Sequence, residues 1–128
     1  MKIVKLVLLL VAISVMSCSK EEVATCTVSS LKEAIVGKWS VKALGQDIGQ
    51  VEFKADGTLV DPDDVLISGS VNGISLTEKT YSLDGNTKLK VKAAQGSNYL
   101  SSDLDINNFN CNELQASMIG IPATFTRK

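Results

Sequence analysis

Three cysteines, Cys18, Cys26 and Cys111, and the lack of any histidine bound the chemistry open to this 128-residue chain. Without imidazole there is no Ser-His-Asp or Cys-His nucleophile pair and no ordinary zinc ligand set. An enzyme would need two converging carboxylates, and no spacing in the sequence places such a pair; the expectation is a protein without catalytic residues, cofactor or metal. Asp61, Asp63 and Asp64 gather around Pro62 and offer oxygen ligands of the kind calcium takes, but they fit no defined loop, and Asp-Pro-Asp is ordinary turn chemistry. Lys88, Lys90 and Lys92 fall on one face of a strand, where they can meet an acidic partner or simply form a solvated outer face. Asn107-Asn108-Phe109-Asn110 has the amides and ring of a sugar site, and equally the composition of a loop between strands.

Cys18 stands at a seam. Lys2 and Lys5 precede an uninterrupted aliphatic run from Leu6 to Ile13, then Ser14-Val15-Met16-Ser17-Cys18, and the charged residues Lys20, Glu21 and Glu22 follow. The run is eight residues long, or about a dozen if carried on through Ser17, short of the roughly 20 that cross a bilayer. It has no polar face, so it makes a poor surface helix. Charge, short apolar core and small residues in that order form the layout of an export signal.

Val15-Met16-Ser17-Cys18 resembles the lipobox of a bacterial lipoprotein precursor. The resemblance implies removal of residues 1–17 and attachment of diacylglycerol to the Cys18 sulfur, chemistry that suits a thiolate nucleophile. Acylation of the freed amine would add a further chain, and several chains hold to a membrane durably where one does not. Lys20-Glu21-Glu22 is similar to the signal that sends some Gram-negative lipoproteins to the outer face of the outer membrane. A solvated tether with a periplasm-facing anchor is the alternative. For an exported protein the remaining thiols, Cys26 and Cys111, are expected to bridge. Closing that loop of roughly 85 residues would restrict the unfolded chain by about 4 kcal/mol.

Removal of Lys2 and Lys5 with the leader takes the 13 basic side chains to 11 against 14 acidic ones, a formal charge of −3. No basic patch exists for nucleic acid. The remaining length suits one compact domain, so the chain divides into a signal peptide (1–17), an anchor and tether (18–28) and a folded domain (29–128).

The elements of that domain follow from periodicity. Ser30 with Glu33 forms a capping box for a helix of about two turns with Leu31, Ala34 and Ile35 on one face, ended by Gly37. From Lys38 the period becomes two: Trp39, Val41 and Ala43 alternate with Lys38, Ser40 and Lys42, and Val51 and Phe53 with Gln50, Glu52 and Lys54. Further strands are expected at 58–60, 65–71, 74–83, 88–92, 99–106, 111–118 and 123–127, with turns at Asp56-Gly57, Asn72-Gly73 and Asp84-Gly85. About eight short antiparallel strands make a small all-β barrel or sandwich.

Gly37-Lys38-Trp39 resembles the Gly-x-Trp signature of lipocalins. The strings IVGKWSV, VEFKADGTL, YSLDGNTKLKV and ATFTRK are similar to compact lipocalin-like domains of bacterial surface lipoproteins, a likeness running from Ile35 to Lys128. The resemblance implies an up-and-down β-barrel whose end is closed by Trp39 with Arg127 lying across the indole. It also implies non-enzymatic binding of a small apolar or amphipathic ligand in the barrel mouth, beside a membrane held by the N-terminal lipid. The second lipocalin signature is not evident, and pocket residues do not carry over because the lining varies among members. A small barrel also can fill its interior with side chains; the alternative function is therefore a protein-interaction or inhibitor module of the cell envelope with a filled core and an apolar rim.

Overall fold

The computed structural model describes residues 28–128. One helix, α1 (Leu31–Ile35), is followed by β1 (Gly37–Ala43), β2 (Gln46–Phe53), β3 (Leu59–Val60), β4 (Ser70–Val71), β5 (Ile74–Ser75), β6 (Glu78–Asp84), β7 (Lys88–Gln95), β8 (Asn98–Phe109), β9 (Glu113–Met118) and β10 (Ile121–Arg127). Eight of the strands form one antiparallel sheet in the order β3-β2-β1-β10-β9-β8-β7-β6. Every pairing joins neighbours in sequence except β1 with β10, which register Trp39 against Arg127 and Ala43 against Ala123. That pairing rolls the meander into an all-β, up-and-down barrel that is nearly closed.

The remaining seam, between β3 and β6, is held by few contacts. Thr58 and Thr80 make an isolated bridge. The Tyr81 amide donates to the Gly57 carbonyl at 2.9 Å, and its hydroxyl donates to the Lys54 carbonyl at 2.6 Å. Burial raises the pKa of that phenol, so it stays a neutral donor well into the alkaline range.

Alternation sorts side chains as the period of two requires. In β7, Leu89, Val91 and Ala93 are buried while Lys90 and Lys92 are exposed. The interior holds Trp39, Phe53, Leu59, Leu104, Leu114 and Phe125, with Phe53 edge-on to Tyr81 at 5.0 Å between centroids. The helix is shorter than expected. Ser30 caps it by accepting from the Glu33 amide, and Leu31, Ala34 and Ile35 are buried under the barrel end. The Leu31 amide donates to Oδ1 of Asn86 at 2.9 Å, tying the helix to the β6–β7 turn. The helix stops at Ile35, and Gly37 opens β1 instead of ending α1.

Two further expectations need correction. Of the strand expected at 65–71 only Ser70–Val71 forms, as β4, and residues 65–69 do not. The Asp61 carboxylate, itself 3% exposed as a residue, accepts from the amides of Val65, Leu66 and Ile67 at 2.7, 2.9 and 3.1 Å. One side chain thus replaces a neighbouring strand as acceptor, and the chain bends inward as a plug whose Leu66 and Ile67 join the core. Lys79 ties the base of the plug, with Nζ donating to the Asp61 carbonyl and, at 2.6 Å, to the Asp64 carboxylate. That contact lowers the Asp64 pKa. These aspartates are turn and plug residues, and among the described residues no group of acidic or cysteine side chains is arranged to hold a metal. Nor is 107–110 a plain loop: β8 continues to Phe109, and Asn110 makes the turn by accepting from the amides of Asn112 and Glu113.

Asp61→Ala would leave those three amides without an acceptor in a dry site. We expect a loss of about 3 kcal/mol of folding free energy, read from urea unfolding. Asp61→Asn should lose less, because its carbonyl can keep part of the set. Equal stability of Asp61→Ala and the native chain would show that the plug does not depend on this carboxylate.

Candidate functional site

The barrel has two dissimilar ends. The closed end is built around Trp39 and Arg127. Arg127 lies over the indole with its guanidinium carbon 4.2 Å from the ring centroid. Its Nη1 donates to the Val36 carbonyl at 2.9 Å, Nη2 to the Ala34 carbonyl and Nε to the Cys111 carbonyl. The indole nitrogen donates to the Ile35 carbonyl at 2.7 Å. Carbonyls at the end of α1, which no helical amide reaches, therefore find partners in these two side chains. Gly37 explains its own presence: at φ 134° a Cβ there would stand 2.3 Å from Nη1 of Arg127. The Gly-x-Trp spacing leaves a gap through which the arginine passes.

The open end carries the β1–β2, β7–β8 and β9–β10 turns and the plug. Beneath its rim lies an apolar pocket of about 140 Å³. Val41, Ala43 and Ile48 form one wall, Met118, Ile121 and Ala123 another, and Val65, Leu66 and Leu104 the floor and far side. The plug has taken the rest of the interior. Three larger depressions lie elsewhere on the outside, the smallest of them, about 220 Å³, lined by Lys38, Gln50, Glu52 and Val60. One of about 430 Å³ runs between α1 and β6, with Lys32 and Asp56 beside Ile35, Val36, Tyr81 and Leu83. Another of about 360 Å³ covers the outer face of β6–β8 around Lys90 and Lys92. Their size exceeds that of the mouth pocket, but charged side chains line all three, whereas none lines the mouth pocket.

The register places the lysine row among other charges: Lys88 stands between Asp84 and Asp105, and Lys90 opposite Asp103. Lys92 instead lies over the Tyr99 ring, 4.8 Å from its centroid. This row is a mixed-charge outer wall and not a uniform cationic surface.

Cys18, Lys20, Glu21, Glu22 and Cys26, with the leader residues 1–17, lie outside the described residues. Cys111 sits at the β8–β9 turn beside the Arg127 lock. No helix among the described residues is long and apolar enough to cross a membrane. Comparison of the chain with protein-family models, curated proteins and solved structures returns no match.

The lock makes a coupled pair of Gly37 and Arg127. Arg127→Met should cost about 2–4 kcal/mol in urea unfolding, since it removes donors from three carbonyls. Gly37→Ala should cost a similar amount in the native background, and at least about 1 kcal/mol less once Arg127 is Met, because the steric conflict has gone. Strict additivity would mean that Gly37 serves only its backbone angle.

Proposed function

We propose that the mature protein is a lipid-anchored, non-enzymatic outer-membrane lipoprotein that binds the aliphatic end of a small apolar or amphipathic molecule in its barrel mouth. The mouth pocket carries this reading. An apolar cavity of about 140 Å³ is close to the engineered cavity of roughly 150 Å³ that stays dry and takes up benzene. It accommodates the last few methylenes of a chain and leaves a polar head in solvent. At about 0.8 kcal/mol per buried methylene, four of them contribute about 3 kcal/mol, a weak and reversible hold.

Cys18 supplies the anchor in this reading, and Lys20, Glu21 and Glu22 direct display at the cell surface. Cys26 and Cys111 form a disulfide. Supporting that pairing, Arg127 holds the Cys111 carbonyl next to those of Ala34 and Val36. Cys26 precedes the first residue of α1 by five positions, a span of about 17 Å at full extension.

The second reading, an interaction module of the envelope, is favoured by a different observation. The barrel interior below the pocket is filled, and Leu44, Ile48, Ile119 and Ile121 expose aliphatic surface at the rim.

A dansyl-labelled fatty acid titrated into the protein separates the two. Ligand binding predicts a blue-shifted, saturable emission that Ala123→Phe abolishes by filling the pocket while the thermal midpoint stays within a few degrees of native. Equal binding by Ala123→Phe would eliminate the mouth as the site, and no binding by either protein favours the interaction module. Labelled palmitate should enter the native chain and not Cys18→Ser, and reduction should lower the thermal midpoint if Cys26 and Cys111 are joined.

A further inference from the structure

Three two-residue hairpin turns share one backbone geometry. Asn72-Gly73 has φ 51° and 79°, Leu44-Gly45 has 52° and 76°, and Ile119-Gly120 has 50° and 78°. Asparagine tolerates the left-handed region at the first position; leucine does so poorly, and a β-branched isoleucine worse still. The strained residues are also the most exposed aliphatic ones, Leu44 at 78% and Ile119 at 94%. Neither strain nor exposure helps the isolated fold. The two tips stand side by side, because β1 pairs with β10, and Ile48, Ile121 and the mouth pocket continue the apolar surface beneath them.

Charge is partitioned along the barrel axis as well. The turns and strand ends of the open end, residues 43–46, 65–77, 93–100 and 116–123, contain no Asp, Glu, Lys or Arg. The nearest charges flank this region: Lys42 pairs in register with Asp47, Lys79 with Asp61 and Asp64, and the exposed Glu78 stands opposite Ala94, at the level of Tyr99. Tyr99 is 61% exposed just below the β7–β8 turn, in contact with Lys92.

We propose that this uncharged crown docks on a lipid bilayer, with Leu44 and Ile119 in the acyl region and Tyr99 at headgroup level. A hydrocarbon phase penalises charge at the contact, and tyrosine favours the interface. A protein partner of ordinary kind would be met by a polar, charged rim around the apolar centre. A second copy is less well served: the exposed aliphatic surface is confined to Leu44, Ile48, Ile119 and Ile121, whereas a stable pair buries about 800 Å² from roughly 20–30 residues on each partner. The chain outside the structure permits the orientation. From Cys18 to Val28 it reaches about 33 Å when extended, while an eight-residue strand tilted in a barrel rises only about 20 Å. An anchor at Cys18 therefore lets the domain turn its open end to the membrane that holds it. This rests on the membrane-anchored reading above and adds a second, non-covalent contact.

The test uses the full protein purified from the bacterial envelope and reconstituted in phosphatidylcholine vesicles containing bromine-labelled acyl chains. Leu44→Trp and Ile119→Trp should each show emission quenched at least twofold beyond the Trp39 background, at low and high salt alike. Lys54→Trp, at the closed end, should show none. Replacing both tips, Leu44→Asn with Ile119→Asn, should raise the thermal midpoint by relieving the turns, yet abolish quenching of an Ile48→Trp reporter. Unquenched tips, or undiminished quenching in the asparagine variant, would overturn the proposal. So would tips buried without vesicles together with a doubled mass in sedimentation, which identifies a second copy. Palmitate labelling reports the anchor independently: protein without palmitate, added to the same vesicles, should still show quenched tips.

Discussion

The guanidinium of Arg127 is the constraint from which the closed end of the barrel follows. It satisfies carbonyls from α1, from the residue leading into β1 and from the β8–β9 turn, while covering the indole of Trp39. Two stretches distant in sequence, 34–39 and the β8–β9 turn, therefore converge on one planar, permanently charged group near the C-terminal end of β10. A lysine has no such fork and could not reach three acceptors in fixed directions. The glycine at position 37 is a consequence of this arrangement, since its missing side chain is the space that the arginine occupies. With β1 and β10 joined beside this cluster, the barrel needs only slight contact between β3 and β6 to close.

Much of this was legible in the sequence, for local reasons. The alternation from Lys88 to Val91 and from Lys38 to Val41 reports one wet and one dry face, a property set residue by residue. Asn72-Gly73 and Asp84-Gly85 mark turns because few other pairs adopt their angles cheaply. The plug at 65–67 escaped notice although its cause lies only four to six residues before it. Val65-Leu66-Ile67 has the composition of a strand, and only the Asp61 carboxylate turns it inward by answering three amides at once. Asp61 itself looks like any residue of an Asp-Pro turn. β8 likewise runs through Asn107 and Asn108, against their turn preference, because β9 pairs with Ile106 and Asn108 on either side of a bulge at Asn107.

The crown was missed for another reason. Leu44-Gly45 and Ile119-Gly120 follow alternating segments and precede others, so a hairpin could have been placed at each glycine. An aliphatic residue is a poor first partner in such a turn, and the pairs do not stand out against the asparagine and aspartate turns nearby. The signal available was the conflict itself: local backbone preference opposes the fold twice, at adjacent hairpins, with large apolar side chains. Natural sequences rarely retain such conflicts where stability alone decides.

Stability and strain thus occupy opposite ends of one small barrel. The closed end contains α1, the arginine lock and the largest aromatic side chain, and every carbonyl drawn into it has a donor. The open end carries the left-handed leucine and isoleucine, the uncharged turns and the apolar mouth pocket. A barrel permits this separation because its strands are continuous from end to end: order imposed at Trp39 and Phe125 fixes the strand positions at Ala43 and Ala123 without further help. The rim can then be shaped by contact with something other than the protein itself, at little cost to the register that the lock maintains.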